Sequence, residues 1–127
     1  MMSNISSNIK TSIAPWLSVS DGRKAVAFYK AAFNAEEIYH LEDTGVFIVQ
    51  LSIKDATFWI NENADSNNLN DSNIRMILTV SNPDELFETA IGAGAKEIFP
   101  VGEDHGWKLG RIEDPFGLHW EIGHPIE

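Results

Sequence analysis

The chain has 127 residues, 43% of them hydrophobic and 22% charged, enough to bury one core without cross-links. It has no cysteine, which excludes disulfide frameworks, thiolate metal sites and cysteine nucleophiles, so any metal would have to be held by His, Asp or Glu. A net charge of −10 with only nine Lys and Arg argues against nucleic acid, whose phosphates demand clustered bases, and makes cationic partners easier to accommodate. No apolar run is long enough to span a bilayer, and residues 1–11 are Asn/Ser-rich without a hydrophobic signal region, so we read a flexible N-terminal segment on a cytoplasmic protein.

Taken in order, residues 13–19 alternate as a first strand. Ser20 or Asp21 can cap a helix whose stripe is Ala25, Phe28, Tyr29, Ala32 and Phe33, with Asn34 as its stop. Strand-like runs follow at 35–41, 46–53 and 56–61, completing a βαβββ module over residues 12–62. Residues 63–73 are dominated by Asn, Asp and Ser and read as a polar linker. The pattern then recurs: Leu78-Thr79-Val80-Ser81 answers Leu17-Ser18-Val19-Ser20, and Gly94-Ala95-Lys96-Glu97-Ile98 answers Asn34-Ala35-Glu36-Glu37-Ile38. In the second copy, Asn82-Pro83-Asp84-Glu85 has the makings of a capping box, Leu86, Phe87, Ala90 and Ile91 form the helical stripe, and Gly92 and Gly94 close it. Strands at 95–101, 107–113 and 118–123 complete a second βαβββ module over residues 74–127.

The last hairpin carries most of the polar chemistry, because Asp114-Pro115-Phe116-Gly117 supplies a turn and the strand after it alternates Leu118, His119, Trp120, Glu121, Ile122. His119 and Glu121 therefore share one face, opposite Leu118, Trp120 and Ile122. If helices cover the purely apolar side of each sheet, the other side receives Arg75, Ile77 and Thr79 from the second module and Ala14, Trp16 and Ser18 from the first. We expect these residues to converge with His119 and Glu121 on a concave cleft. Arg111 is expected to pair with Asp114 or a neighbouring carboxylate, Trp120 and Phe116 to be core, and Trp107 to be either lid or core.

The Val19-Ser20-Asp21 opening of the first helix, the Phe28-Tyr29 pair with Phe33, and the closing run from Gly110 to Ile122 resemble the vicinal oxygen chelate superfamily, which includes glyoxalase I, extradiol dioxygenases, fosfomycin-resistance enzymes and bleomycin-resistance binding proteins. The resemblance implies an α+β fold of two tandem βαβββ modules forming a half-open mixed-sheet barrel around a cleft, commonly in a homodimer. Metal-using members place ligands at positions that here read Ala14, Trp59 (or Ile60 if the hairpin register slips), Arg75 and Glu121. Only Glu121 suits a divalent ion, and Arg75 would repel one, so no cofactor is expected. If a metal is bound after all, His119 and Glu121 are its candidate ligands, with His40 or a partner chain completing the set; otherwise Arg75 and Glu121 form an ion pair.

Three functions follow from the resemblance. The first is a metal-free binding protein that takes a small cationic or aromatic molecule among Trp16, Trp59, Arg75, Trp107, Arg111, His119 and Glu121. The second is a lyase, isomerase or dioxygenase-like enzyme with Glu121 and Arg75 as catalytic residues and His119 in support. The third is a structural or regulatory module with a filled cleft. Expected partners are a small-molecule ligand and a second copy of the chain, with neither nucleic acid nor membrane.

Overall fold

A computed structural model describes residues 12–66 and 74–126. The expected N-terminal segment and most of the expected linker lie outside the described residues. The first module consists of β1 (Trp16–Val19), α1 (Gly22–Phe33), β2 (Glu36–Asp43), β3 (Val46–Ile53) and β4 (Ala56–Glu62). The second consists of β5 (Arg75–Thr79), α2 (Pro83–Gly92), β6 (Lys96–Asp104), β7 (Trp107–Glu113) and β8 (His119–Pro125).

Each module forms a four-stranded mixed sheet, in the orders β1-β4-β3-β2 and β5-β8-β7-β6, so the repeat read in the sequence is a repeat of topology. In both sheets the first strand runs parallel to the last, with Leu17 opposite Ile60 and Leu78 opposite Ile122. Those two Leu–Ile pairs mark equivalent positions on the helix-covered side.

α1 begins at Asp21, whose carboxylate accepts from the Lys24 backbone N–H at 3.1 Å, and ends at Asn34, whose φ of 58° turns the chain out of the helix. α2 departs from expectation. Asn82 makes no side-chain capping bond, and Pro83 at the first helical turn takes over the start, since its φ is already helical and it has no N–H to satisfy.

The core lies between the helices and the sides of the sheets they cover. Leu17, Val49, Leu51, Phe58 and Ile60 pack beneath Tyr29, Ala32 and Phe33, while Leu78, Ile112, Trp120 and Ile122 do so with Phe87 and Ala90. The modules join on this same side. Phe33 and Trp120 ring centroids are 4.8 Å apart, Phe58 and Trp120 5.7 Å, and Phe28 and Phe116 6.1 Å.

A buried polar knot seals the junction. Asp114 accepts from the Tyr29 hydroxyl at 2.6 Å, from Trp120 Nε1 at 2.9 Å, and from the backbone N–H groups of Phe116 and Leu118 at 2.9 and 3.0 Å. Burial, and then the neighbouring Asp114 charge, push the Tyr29 hydroxyl well above its usual range, so it remains a donor. Asp114 is thereby fully engaged, so of the partners expected for Arg111, Asp114 or a neighbouring carboxylate, the second remains.

Candidate functional site

Because the helices cover one side of each sheet, the opposite side is left open, and strand alternation decides what it displays. On the second sheet the register sets Arg75 beside His119 and Glu113, and Ile77 beside Glu121 and Arg111. Glu121 is the centre of this face. Its Oε2 lies 3.2 Å from Arg75 Nε and 2.5 Å from Arg111 Nη2, so the Arg75–Glu121 pair forms and Arg111 joins it, taking a neighbouring carboxylate and not Asp114. The Arg111 guanidinium also lies over the Phe99 ring, 5.2 Å from its centroid, and its Nε is buried without a hydrogen-bond partner among the described residues.

No hydrogen bond or ion pair engages Glu121 Oε1 among the described residues. His119 shares the face with Glu121, yet its Nε2 is directed to Glu113 Oε1 at 3.8 Å. Next to the cluster a cavity of about 260 Å³ is lined by Ile77, Leu78, Trp107, Leu109, Glu121 and Gly123. Trp107 is thus a wall of the open face and not part of the core. Gly123 borders the cavity, and its lack of a side chain lets β7 approach closely, since a Cβ there would collide with the Lys108 carbonyl oxygen.

The open face of the first sheet has another character. Trp16 and Trp59 stack at 6.0 Å with a 26° interplanar angle, and Tyr39 meets Trp59 edge-on at 5.7 Å. Asn61 Oδ1 accepts from Trp16 Nε1 at 3.1 Å and from the Ser18 hydroxyl at 2.5 Å. The candidate residues therefore divide by module: Trp16 and Trp59 on one sheet, and Arg75, Trp107, Arg111, His119 and Glu121 on the other. Tyr39, Asn61, Leu109 and Gly123 had not been singled out. Asn61 follows from alternation with Trp59; Tyr39 reaches this face through a bulge between Glu37 and Tyr39 that no periodicity announces.

These donors do not fit a divalent ion. The Ala14 methyl and the Trp59 indole offer no lone pair of the needed kind, and Arg75 and Arg111 place two fixed positive charges on Glu121. His40, the remaining candidate, belongs to the other module, between Glu37 Oε1 at 2.6 Å and Glu42 Oε1 at 3.1 Å. Among the described residues no group of three or more His, Asp or Glu side chains could hold a metal. No described helix is long and apolar enough to cross a membrane.

A profile of the Glyoxalase/Bleomycin resistance protein/Dioxygenase superfamily matches residues 11–122. An uncharacterized protein of Mycobacterium bovis is 30% identical over 132 residues, covering 94% of this chain and 86% of its own length. Among solved structures, a glyoxylase/bleomycin resistance protein/dioxygenase domain from Frankia superposes with a TM-score of 0.78 at 13% identity, covering 93% of this chain and 99% of that one. FosX, the genomically encoded fosfomycin resistance protein of Listeria monocytogenes, superposes with a TM-score of 0.75 at 22% identity over 92% of this chain and 94% of its own. TioX from Micromonospora gives a TM-score of 0.74 at 17% identity over 92% of this chain and 100% of its own. A FosX variant has been solved with manganese(II) and a dihydroxypropylphosphonic acid. Sequence match, strand order and paired modules agree: the chain belongs to the Glyoxalase/Bleomycin resistance protein/Dioxygenase superfamily.

Proposed function

We propose that this is a metal-free small-molecule binding protein of its superfamily, cytoplasmic and homodimeric, that holds its ligand on the open face of the second sheet. The observation that carries the proposal is the cavity of about 260 Å³ beside Glu121, with apolar walls of Ile77, Leu109 and Trp107 and one carboxylate among its described lining. A concave, mostly apolar hollow with a single well-placed polar group is the usual form of a small-ligand site. The two arginines on Glu121 support metal independence, since they supply the positive charge an ion would otherwise bring. A second copy of the chain would cover Trp16, Tyr39 and Leu41, large apolar side chains that a single chain leaves exposed.

Tryptophan emission gives the test. Trp16, Trp59 and Trp107 reach the open faces and Trp120 is buried, so a bound aromatic molecule should alter emission from the exposed set. Binding should persist after chelation, with substoichiometric metal by elemental analysis. One tightly held divalent ion per chain, whose removal abolishes binding, would overturn the metal-free reading. Light scattering should give twice the chain mass of 14.2 kDa, and a monomer at working concentration would remove the dimer.

A further inference from the structure

We propose that the cavity beside Glu121 selects an uncharged, largely apolar molecule that presents one hydroxyl or N–H donor. This rests on the binding reading above and narrows it to a ligand class.

Four features of the site point the same way. Ile77, Leu109 and Trp107 supply apolar walls, and Glu121 is the only charged residue among the described residues of the lining. A carboxylate is an acceptor only, so an anionic ligand would set like charges against each other there. An anion reaching instead for Arg75 would leave the cavity, because Arg75 stands beside His119 while Gly123, the cavity floor, pairs with Thr79 at the far end of the same strand. A cation fares little better. Two guanidinium groups already crowd Oε2, so a third positive charge brought to that oxygen would face both of them.

What remains attractive is a neutral donor to Oε1, the oxygen without a partner among the described residues. The arginines hold the carboxylate in place, so such a bond would be charge-assisted and preorganised. At the roughly 30 Å³ that a molecule occupies in liquid water, the hollow has room for about nine non-hydrogen atoms.

Four small probes of nearly equal shape decide it: 2-phenylethanol, its methyl ether, phenethylammonium and phenylacetate. Each is titrated into ¹⁵N-labelled full-length protein while the Gly123 and Leu109 amides and the Trp107 indole are followed by NMR. The alcohol is expected to shift these signals and to bind roughly tenfold or more tighter than each of the other three, the discrimination expected when a bond to a charged acceptor is lost. An ether that binds as well as the alcohol overturns the proposal, as does tighter binding of the ammonium or the carboxylate.

Shifts confined to the Trp16 and Trp59 indoles would sink this inference and leave small-molecule binding standing. No shift on either face with any probe would count against both. Because Glu121→Gln strands two guanidinium groups and can cost the fold, the confirming variant is Ile77→Trp, at an exposed position. It should fill the hollow and abolish alcohol binding with an unchanged melting temperature. Wild-type affinity in Ile77→Trp would also overturn the proposal.

Discussion

The two open faces sit on the same architecture and carry opposite chemistry. Aligned on the pairs Leu17–Ile60 and Leu78–Ile122, the stacked Trp16–Trp59 pair of the first sheet becomes Ile77–Glu121 in the second, and Ser18–Asn61 becomes Thr79–Gly123. Where one face shows rings bonded to an amide, the other has a carboxylate between two arginines and, at the glycine, a hollow. The helix-covered sides stay alike because both must fill a core. The open sides are free of that demand, so each can specialise. Breaking selected contacts should show how deep the asymmetry runs.

The largest effect is expected at the turns. The β3–β4 turn of the first module is Lys54-Asp55, with Asp55 exposed, whereas the β7–β8 turn of the second opens with Asp114, which ties that hairpin to α1. Asp114→Ala would leave four donors, three of them buried, without their acceptor and should destabilise the chain by about 3–5 kcal/mol in urea unfolding. Tyr29→Phe, which removes one donor cleanly, should cost about 1–2 kcal/mol. Asp55→Ala should stay within about 0.5 kcal/mol. Equal effects at Asp114 and Asp55 would mean that the modules are held together by ring packing alone.

An intermediate effect is expected at Glu121. Replacing it by Gln weakens two charge-assisted contacts and should cost about 1–3 kcal/mol. Of its two partners, Arg111 is the more buried and lies on Phe99, so Arg111→Ala should be the more damaging, with Arg75→Ala below about 1 kcal/mol. A double-mutant cycle between residues 111 and 121 measures the coupling directly. Zero coupling would reduce the cluster to two independent surface residues.

Much of this was legible in the sequence, for reasons that are physical. Helical and strand periods, the repeated Leu-Ser/Thr-Val-Ser segment and the Asp21 and Asn34 helix ends gave the modules, and alternation alone brought Arg75 to Glu121's face. Which of the two partners expected for Arg111 it takes was not legible, because the choice depends on the cross-strand register of β7 and β8 and on Asp114 being consumed by Tyr29 and Trp120. Phe99 reaches Arg111 between two register shifts in β6, an irregularity with no sequence period. The division of the candidate site between two sheets was hidden as well. Alternation says which residues share a side of a sheet, but it does not say that Phe33 and Trp120 will join the modules on their helix side.

The smallest effect, and the subtlest contrast between modules, concerns Glu37 and its counterpart Glu97. Lys30 Nζ donates to Glu37 Oε2 at 2.5 Å and His40 Nδ1 lies 2.6 Å from Oε1, while Glu97 makes no hydrogen bond or ion pair among the described residues. The Lys30 bond first, and the His40 bond second, hold the Glu37 carboxyl below the usual glutamate range. A carboxyl lowered in the folded state contributes stability that is complete above its unfolded value and is lost as pH falls through the folded one. The gap in stability between wild type and Lys30→Ala should therefore be present at neutral pH and shrink as acid carries the solution through and below the ordinary glutamate range. Both partners are partly exposed, with side-chain exposures of 45% for Lys30 and 28% for Glu37, so solvent screening limits the gap to a few tenths of a kcal/mol. Any influence of Lys30 on the end of α1 is the same at every pH in this window, which leaves the pH-dependent part to Glu37. A Lys30→Ala gap that stays constant or widens in acid would refute the assignment, and a low-pH NMR titration of the Glu37 carboxyl in both proteins would show whether it moves when Lys30 is removed.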